Sequence, residues 1–252
     1  MSLIIFGTHC NWTDILNQDL LPDLQPIIQS ITVCSTINES LFTADHVLPL
    51  LESHMLELHY HNIKAHMPSK EAIETFQHKK LFAEYAQKYA LHYYMPEHFT
   101  TLQTRGKKLC VKPFSLNAGI GIYITDKIYN EIFNNYVVQE YIHDYVEYTT
   151  HIIARNGIII YHLTYQITFM TDEYIKGGIN TTNSIIKINL DKQYLDILQM
   201  FLLPIKYDGI CCVNFKIVNN KIYIFEINPR LGGTLLLHKN DMIEFLQVLF
   251  TC

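Results

Sequence analysis

The sequence predicts an α+β fold, with helices concentrated early in the chain and an antiparallel sheet later. From residue 109 onward, apolar segments alternate with period two between turn signals, as is typical of antiparallel strands. Before that point the clearest periodicity is helical, over residues 68–91. The chain has 252 residues, of which 49% are hydrophobic and 17% charged, so it can bury a sizeable core and is globular rather than disordered.

The first part of the chain is predicted to be a small α/β unit followed by helices. Residues 3–6 and 31–34 are short apolar segments that indicate buried strands, and helical spacing follows Pro49. Ser69 precedes the strongest helical pattern and is a suitable N-cap. A polar interruption near Gln77 indicates that this region is two helices rather than one.

The second part is predicted to be mainly strands, joined by hairpins. Asn156-Gly157 and Asn219-Asn220 mark two tight turns between apolar segments. Residues 170–184 are polar and contain glycine, which favours a loop. Helices are expected at residues 190–205 and 241–250. The predicted strands are residues 109–114, 121–125, 136–142, 149–154, 157–165 and the two arms of 209–227.

Composition narrows the classes of function. The net charge is −5 with only 19 Lys and Arg, so we expect no nucleic-acid partner. No apolar run approaches the ~20 residues of a membrane span, so we expect no membrane partner. The six cysteines form no CxxC pair, which argues against a zinc ribbon and favours reduced thiols in the cytoplasm.

Polar side chains interrupt the apolar segment "IYIFEINPRLGG" at alternating positions. Glu226 and Asn228 share a face of the predicted strand, and Asn214 lies on its hairpin partner. Such oxygen donors, without Cys or His, suit Mg²⁺ or Mn²⁺. Arg230 adds a planar cation suited to phosphate. Taken alone, the motif is more typical of a solvated hairpin end in which acid and base pair with each other.

Three earlier segments carry weaker signals. Lys112 ends an apolar strand and precedes a loop with Gly119 and Gly121, a pattern that fits either phosphate binding or a hairpin with a lysine reaching solvent. The segment "VVQEYI", followed by Glu147, could offer backbone groups to an adenine edge or could be an ordinary strand end. Lys79 and Lys80 fit equally well a solvated helix face.

Taken in chain order, these features resemble the ATP-grasp superfamily over residues 45–238. The resemblance is carried by the helix lysine, "VKP" with its glycine loop, "VVQEYI" with a later glutamate, "VNF" and "FEINPR". It implies an ATP-grasp fold, in which two α+β subdomains clasp ATP after a short α/β N-terminal part. The implied domains are 1–68 and 69–252, the latter dividing into about 69–140 and 141–252.

The resemblance implies a nucleotide site built from three segments: the helix that carries Lys79, the strand that carries Lys112, and the segment "VVQEYI", which serves as the hinge. Lys79, or less favourably Lys80, would meet the phosphates together with Lys112. The Glu140 carbonyl and the Ile142 N–H would hold the adenine edge, and Glu147 would bind the ribose. The implied ATP-binding residues are Lys79, Lys112, Gln139, Glu140, Tyr141, Ile142 and Glu147.

The same resemblance implies a metal and catalytic wall. Asn214, Glu226 and Asn228 would hold Mg²⁺ (or Mn²⁺), and Arg230 with Lys112 would stabilise the transferring phosphoryl group. Gly232, Gly233 and Thr234 would lie at the acceptor side. Asn214 departs from the usual acid at its position, as carbamoyl-phosphate synthetases do, so weaker metal binding is expected. The segment "IHDYVE" lacks the usual glycine and is one residue longer.

The implied function is an ATP- and Mg-dependent ligase that activates a carboxylate as an acylphosphate and joins it to an amine. The loop at 170–184 would fold over the site and exclude water. The partners would be small-molecule carboxylate and amine substrates, with a homodimer or partner protein completing the acceptor site. The alternatives are an ATP-binding regulatory module without catalysis, or an ATP-grasp phosphotransferase or acyl-CoA ligase.

Overall fold

The computed structural model describes residues 1–9, 12–18, 21–25, 27–102, 104, 106–115, 119–175 and 182–252, without the side chains of residues 17, 18 and 21. In these residues the chain forms three sheets with helices packed against them. Residues 176–181, which belong to the loop expected over 170–184, lie outside the described residues.

The N-terminal part contains a three-stranded parallel sheet in the order β2-β1-β3. The two predicted strands are present, and a third, at His46–Pro49, precedes the predicted helix. Both faces of this sheet are buried, since the consecutive residues Ile5 and Phe6 point to opposite faces and are fully enclosed. The elements are β1 Ser2–Phe6, α1 Trp12–Gln18, α2 Leu21–Leu24, β2 Ser30–Cys34, α3 Ser40–Thr43, β3 His46–Pro49 and α4 Glu52–Tyr60.

Two helices, α5 Lys70–Gln77 and α6 Lys79–Lys88, confirm the predicted break in the helical region. Ser69 is the N-cap of α5, because its hydroxyl accepts a hydrogen bond from the Ala72 N–H. His78 caps α6 in the same way, accepting from the Leu81 N–H. The break therefore places Lys79 in the first turn of a new helix.

A four-stranded antiparallel sheet follows, in the order β4-β7-β5-β6. In β5, Leu109, Val111 and Pro113 are buried, while Cys110 and Lys112 alternate with them on the other face. The Lys79 N–H donates to Phe114 O at 2.9 Å, which ties the start of α6 to the end of β5. The strands are β4 His98–Phe99, β5 Leu109–Pro113, β6 Tyr123–Thr125 and β7 Tyr136–Glu140, with 3₁₀ turns at His92–Tyr94 and Asn130–Asn134.

The largest sheet has five antiparallel strands in the order β10-β9-β8-β11-β12. Both predicted hairpin turns are present, with positive φ at Asn156, Gly157, Asn219 and Asn220. The elements are β8 Val146–Arg155, β9 Ile158–Phe169, β10 Thr182–Ile188, α7 Lys192–Leu202, β11 Gly209–Val218, β12 Lys221–Asn228, α8 Gly233–Leu236 and α9 Lys239–Thr251.

Two sequence expectations need correction. The loop expected over 170–184 is shorter at its end, because β10 begins at Thr182 and pairs with β9. Phe225 belongs to the apolar segment "IYIFEINPRLGG", whose apolar residues would be expected to pack in the core, as Ile224 and Ile227 do. The register instead pairs Asn214 with Glu226 and Phe215 with Ile224, so Phe225 is the extra residue of a β-bulge and faces a cavity.

The largest clusters of buried side chains lie on opposite faces of the five-stranded sheet. One joins α5, α6 and α7 to β11 and β12, through residues such as Phe82, Phe201 and Phe215. The other joins β1 and α1 to α9, through residues such as Ile5 and Phe245. The N-terminal part and the C-terminal helix thus share one core.

Within the described residues, no helix is long and apolar enough to cross a membrane. The predicted division at residue 68 and the predicted cytoplasmic location stay predictions.

Candidate active site

A cavity of about 330 Å³ opens where the four-stranded sheet, the five-stranded sheet and the N-terminal part meet. All eleven residues that the sequence singled out for nucleotide, metal and catalysis line it: Lys79, Lys112, Gln139, Glu140, Tyr141, Ile142, Glu147, Asn214, Glu226, Asn228 and Arg230. The predicted acceptor-side residues Gly232, Gly233 and Thr234 line it as well. The structure brings these residues together, and their individual roles remain predictions.

Glu226 is the centre of a hydrogen-bonded group on the cavity wall. Its Oε1 accepts from Asn214 Nδ2 at 2.7 Å and from Asn228 Nδ2 at 3.2 Å. Asn214 is oriented in turn by Thr149, whose hydroxyl donates to Asn214 Oδ1 at 2.8 Å. The bulge at Phe225 allows this geometry, because it sets Glu226 directly opposite Asn214.

Two lysines hold the Glu226 carboxylate in its charged form. Burial by itself would raise the pKa of Glu226, but Lys112, Lys79 and the two amides outweigh it and lower the pKa. Burial lowers the pKa of Lys79, with Glu226 opposing and Lys112 adding to the effect. Lys112 Nζ also lies 5.3 Å from the centre of the Phe225 ring. The wall therefore combines one carboxylate with two cations, a combination suited to a bound polyanion.

The structure distinguishes Lys79 from Lys80, which the sequence left open. Lys79 lines the cavity, whereas the Lys80 side chain is 56% exposed and lies 3.9 Å from Glu84, one helical turn away. Lys80 is thus part of a solvated helix face, and Lys79 is the helix lysine placed to contact a ligand.

Arg230 is held by a residue that sequence reasoning missed. Its Nε donates to Glu52 Oε1 at 3.0 Å, and its Nη1 donates to Leu231 O at 2.9 Å. The guanidinium carbon also lies 5.5 Å from the centre of the Trp12 ring. Glu52 and Arg230 are 178 positions apart, so local spacing could not reveal this pair. The alternative expected from the motif, in which Arg230 pairs with Glu226, is not what the structure shows.

The hinge after β7 presents backbone groups to the cavity. The Glu140 N–H donates to Glu97 O and the Tyr141 N–H to Lys108 O, each at 2.8 Å. No hydrogen bond from the Ile142 N–H is found within the described part of the chain. Ile142 therefore offers a donor at the position where the sequence predicted contact with a base.

Lys216 is a buried cation that the sequence analysis passed over. It is 2% exposed, and its Nζ donates to the carbonyl oxygens of Ile142 and Asp144 at 2.8 and 3.0 Å. Burial lowers its pKa to about 8, although Glu147 opposes this shift. A lysine inside the apolar strand "VNFKIV" is the same signal that singled out Lys112. Lys216 fixes the longer segment between the hinge and Glu147.

Glu147 lies on β8 next to Lys216 and is 4% exposed. Its Oε2 accepts a hydrogen bond from the Tyr174 hydroxyl at 3.3 Å. The Tyr174 N–H donates to the Tyr141 hydroxyl at 2.8 Å, so the start of the predicted lid segment is attached to the hinge.

Side chains from the N-terminal part line the cavity near Gly232 and Gly233. The His9 ring meets Trp12 edge-on at 4.4 Å, and burial followed by the Arg230 charge lowers the pKa of His9. A Cβ built on Gly233 would lie 3.4 Å from the Trp12 ring, and one on Gly232 would lie 2.5 Å from Cys212 Sγ. Glycine is thus required at 232 for the turn to pack against β11.

The family of ATP-grasp domains matches residues 79–234, which cover most of the cavity wall. The chain belongs to the ATP-grasp family. The predicted superfamily and the α+β fold are therefore confirmed. No curated protein sequence matches the chain.

Solved ATP-grasp structures share this fold at low sequence identity. A biotin carboxylase–β,γ-ATP complex from Campylobacter jejuni is 13% identical, with a TM-score of 0.68 over 99% of this chain and 70% of that one. A D-alanine–D-alanine ligase from Bacillus anthracis complexed with ATP is 14% identical, with a TM-score of 0.65 over 99% and 96% of the two chains. An L-amino acid ligase from Bacillus licheniformis is 14% identical, with a TM-score of 0.68 over 99% and 74%. These likenesses show the fold, and the names describe those proteins.

Proposed function

We propose that this protein is an ATP- and Mg²⁺-dependent ligase that activates a carboxylate as an acylphosphate and joins it to an amine. The observation that carries the proposal is the convergence of Lys79, Lys112, Glu226 and Arg230 on one cavity, from three separate segments of the chain. Biotin carboxylase and the two amino-acid ligases among the similar structures support the reaction class.

The residues of the cavity fit both ATP and magnesium. Glu226, Asn228 and Asn214 supply hard oxygen donors without sulfur or imidazole, which is the donor set that Mg²⁺ favours. At the hinge end of the cavity, the buried Gln139 Oε1 has no hydrogen-bond partner among the described residues. A buried polar atom of this kind is expected to bond to a ligand. When bound, Mg²⁺ would neutralise charge on the phosphates.

The mechanism asks the protein mainly for positioning and positive charge. Lys79 and Lys112 would bind the phosphates from two sides of Glu226. Arg230, whose direction is fixed by Glu52 and Leu231 O, would stabilise the phosphoryl group as the substrate carboxylate oxygen attacks the γ-phosphorus and ADP leaves. The amine would then attack the acyl carbon and expel phosphate. Residues 170–175, attached to Tyr141, would help to keep water from the acylphosphate.

The acceptor would bind between the turn at Gly232 and Gly233 and the N-terminal side chains His9 and Trp12. The expectation that a homodimer or partner protein completes the acceptor site stays a prediction. The identity of the carboxylate and of the amine is not part of the proposal.

One observation favours a second candidate, an ATP-binding module without turnover. Asn214 replaces a carboxylate and donates its amide N–H to Glu226, so the metal wall has one negative charge fewer than two acids would give. Such a wall would bind nucleotide but hold metal weakly.

The experiment measures ADP and phosphate release with Mg-ATP and pooled amino acids and small carboxylates. We expect acceptor-dependent release that falls at least about 100-fold in Glu226→Gln, because the central carboxylate of the metal wall is lost. Glu39→Gln, an exposed change at the start of α3, is the matched control and should keep full activity. Tight ATP binding without turnover in any pool would favour the module, and absence of ATP binding would contradict both.

A further inference from the structure

A histidine of the N-terminal part lies on the cavity wall, and no step of the proposed mechanism uses it. His9 lines the cavity together with Trp12 and Arg230. Its backbone is fixed just before α1, because its N–H donates to the Thr13 hydroxyl at 3.3 Å and its carbonyl oxygen accepts from the Trp12 N–H at 3.0 Å. The imidazole therefore has a defined place at the cavity.

The Trp12 ring brings this imidazole close to Arg230. The His9 ring meets Trp12 at 88°, with 4.4 Å between the ring centres, and the Arg230 guanidinium carbon lies 5.5 Å from the centre of the same ring. The turn at Gly233 also packs against it, since a Cβ there would lie 3.4 Å from the Trp12 ring. His9 thus lies near the residue that would hold the phosphoryl group and near the turn where the acceptor would bind.

The surroundings of His9 keep its imidazole uncharged at neutral pH. Burial, followed by the Arg230 charge, lowers the pKa of His9 below its ordinary value of 6.5, and Glu52 only partly opposes them. His54 of α4, whose own pKa is lowered by burial, is a further titratable neighbour. A neutral imidazole can accept a proton. The charge of Arg230 acts in the same direction on a substrate amine, because it disfavours the ammonium form.

We propose that His9 is a catalytic residue of the ligation step, in which it takes a proton from the substrate amine as the amine attacks the acylphosphate. The proposal rests on the proposed function and deepens it, since it concerns the second half of that reaction. It gives the N-terminal part a chemical role in addition to a role in shaping the cavity.

The step is balanced with His9 as a proton carrier. The nitrogen lone pair of the neutral amine forms a bond to the acyl carbon, and the nitrogen then carries a positive charge and a hydrogen acidic enough for an imidazole to take. When the bond between the acyl carbon and the phosphate oxygen breaks, its electron pair leaves with the phosphate. The imidazolium returns the proton to that oxygen. The products are an amide and hydrogen phosphate, and His9 is neutral again.

The test compares two acceptors that differ in their need for a base. Hydroxylamine is uncharged at neutral pH and attacks acylphosphates without a catalyst, whereas an amino group forms the amide efficiently only if a base takes its proton. The protein is incubated with Mg-ATP and the pool of amino acids and small carboxylates, with and without excess hydroxylamine. Mass spectrometry then measures the rates at which amides and hydroxamates form.

The two acceptors should respond differently to the loss of the imidazole. In His9→Gln, amide formation should fall about 100-fold, and hydroxamate formation should fall less than about threefold, because general base catalysis typically contributes two to four orders of magnitude. His61→Gln, a change at an exposed histidine at the end of α4, is the matched control and should leave both rates unchanged.

A second variant tests the chemistry directly. His9→Ala leaves room for a free imidazole, and imidazole added to the solution should raise its rate of amide formation about tenfold or more without changing hydroxamate formation. A merely structural role of His9 would not give this recovery. The variant also keeps the test valid if His9→Gln does not fold.

The other outcomes contradict the inference in distinct ways. Equal losses of amide and hydroxamate in His9→Gln, with no recovery of His9→Ala by imidazole, would show a structural role and overturn it. Undiminished amide formation in His9→Gln would also overturn it. In both cases the proposed function stands, because the native protein makes both products. If the native protein made neither product from any pool, the proposed function would fail as well.

Discussion

At the scale of single residues, the position of a side chain decides whether a residue belongs to the cavity or to the surface. Lys79 and Lys80 are adjacent and chemically identical, yet one lines the cavity and the other pairs with Glu84 on the surface. The sequence marked both because helix periodicity fixes a face only approximately, and the break at His78 decides which of them turns inward.

This contrast predicts unequal effects of equal substitutions. Lys79→Met should weaken Mg-ATP binding about tenfold or more, because a charge-assisted contact in a buried site is lost. Lys80→Met should change the affinity less than about twofold, since an exposed i,i+4 pair contributes little. Calorimetric titration of both variants with a non-hydrolysable ATP analogue gives the comparison, and equal losses would contradict the assignment of Lys79.

Lys216 predicts a pH-dependent difference in stability. Burial lowers the pKa of Lys216 to about 8, below the unfolded value of about 10.4. Between these two values the unfolded chain binds the additional proton, so the contribution of Lys216 to stability rises with pH and is lost as pH falls through 8. Relative to Lys216→Met, the native protein should therefore gain free energy of unfolding from pH 7.5 to pH 10.

Urea unfolding of both proteins at these two pH values measures that difference. A constant difference would show that Lys216 titrates in the folded protein as it does in the unfolded chain. Lys221→Met, at the exposed start of β12, is the matched control and should show no such change with pH.

At the scale of elements, alternation predicted most strands, and the exceptions have local physical causes. Strand alternation correctly placed Glu226, Asn228 and Asn214 on one wall. It failed at Phe225, because a bulge adds a residue to one strand without any mark in the sequence. Short elements such as α1 and β3 were also missed, since few residues give no clear period. Glu52 and Trp12 could not be found from spacing, because only the tertiary fold brings them to Arg230.

The hairpin between β8 and β9 predicts a strong effect of one methyl group. Gly157 has φ of +82°, and a Cβ there would lie 2.7 Å from Leu203 Cα and 2.9 Å from Leu202 O. Gly157→Ala should lower the free energy of unfolding by about 2–4 kcal/mol, since it combines backbone strain with a clash against the end of α7.

Gly106 separates these two causes. Its φ is +70°, but a Cβ there would meet no atom of the described residues within 4 Å. Gly106→Ala should cost only about 1 kcal/mol, because it introduces the backbone strain without the clash. If both variants lost a similar free energy of unfolding in urea titrations, the residues at the end of α7 would have to move away from the added methyl group at no cost.

At the scale of the whole molecule, the cavity is lined by three parts of the chain, of which the N-terminal part and the five-stranded sheet already share a core. Ligand contacts would come from the four-stranded sheet, the five-stranded sheet and the N-terminal part at once. A bound nucleotide should therefore stabilise the entire chain and not only one of these three parts.

Mg-ATP at 100 times its dissociation constant should add about 2.7 kcal/mol to the free energy of unfolding. For a chain of this length, that corresponds to a rise in Tm of about 5–10 °C in a single transition. In Glu226→Gln the additional rise caused by Mg²⁺ over ATP alone should disappear. Calorimetric scans with ATP, with and without Mg²⁺, test this, and separate transitions for the two sheets would contradict it.

The core that joins β1 to α9 also determines when the fold can be completed during synthesis of the chain. Ile5 packs in one cluster with Phe245, so the N-terminal sheet cannot complete its interior until residues 239–251 have left the ribosome. Glu52 likewise cannot form its ion pair until Arg230, 178 positions later in the chain, has been synthesised. Such distant contacts slow folding, and an unfinished chain would expose apolar surface in the meantime. The nascent chain would thus be unable to complete the proposed ATP site until α9 docks.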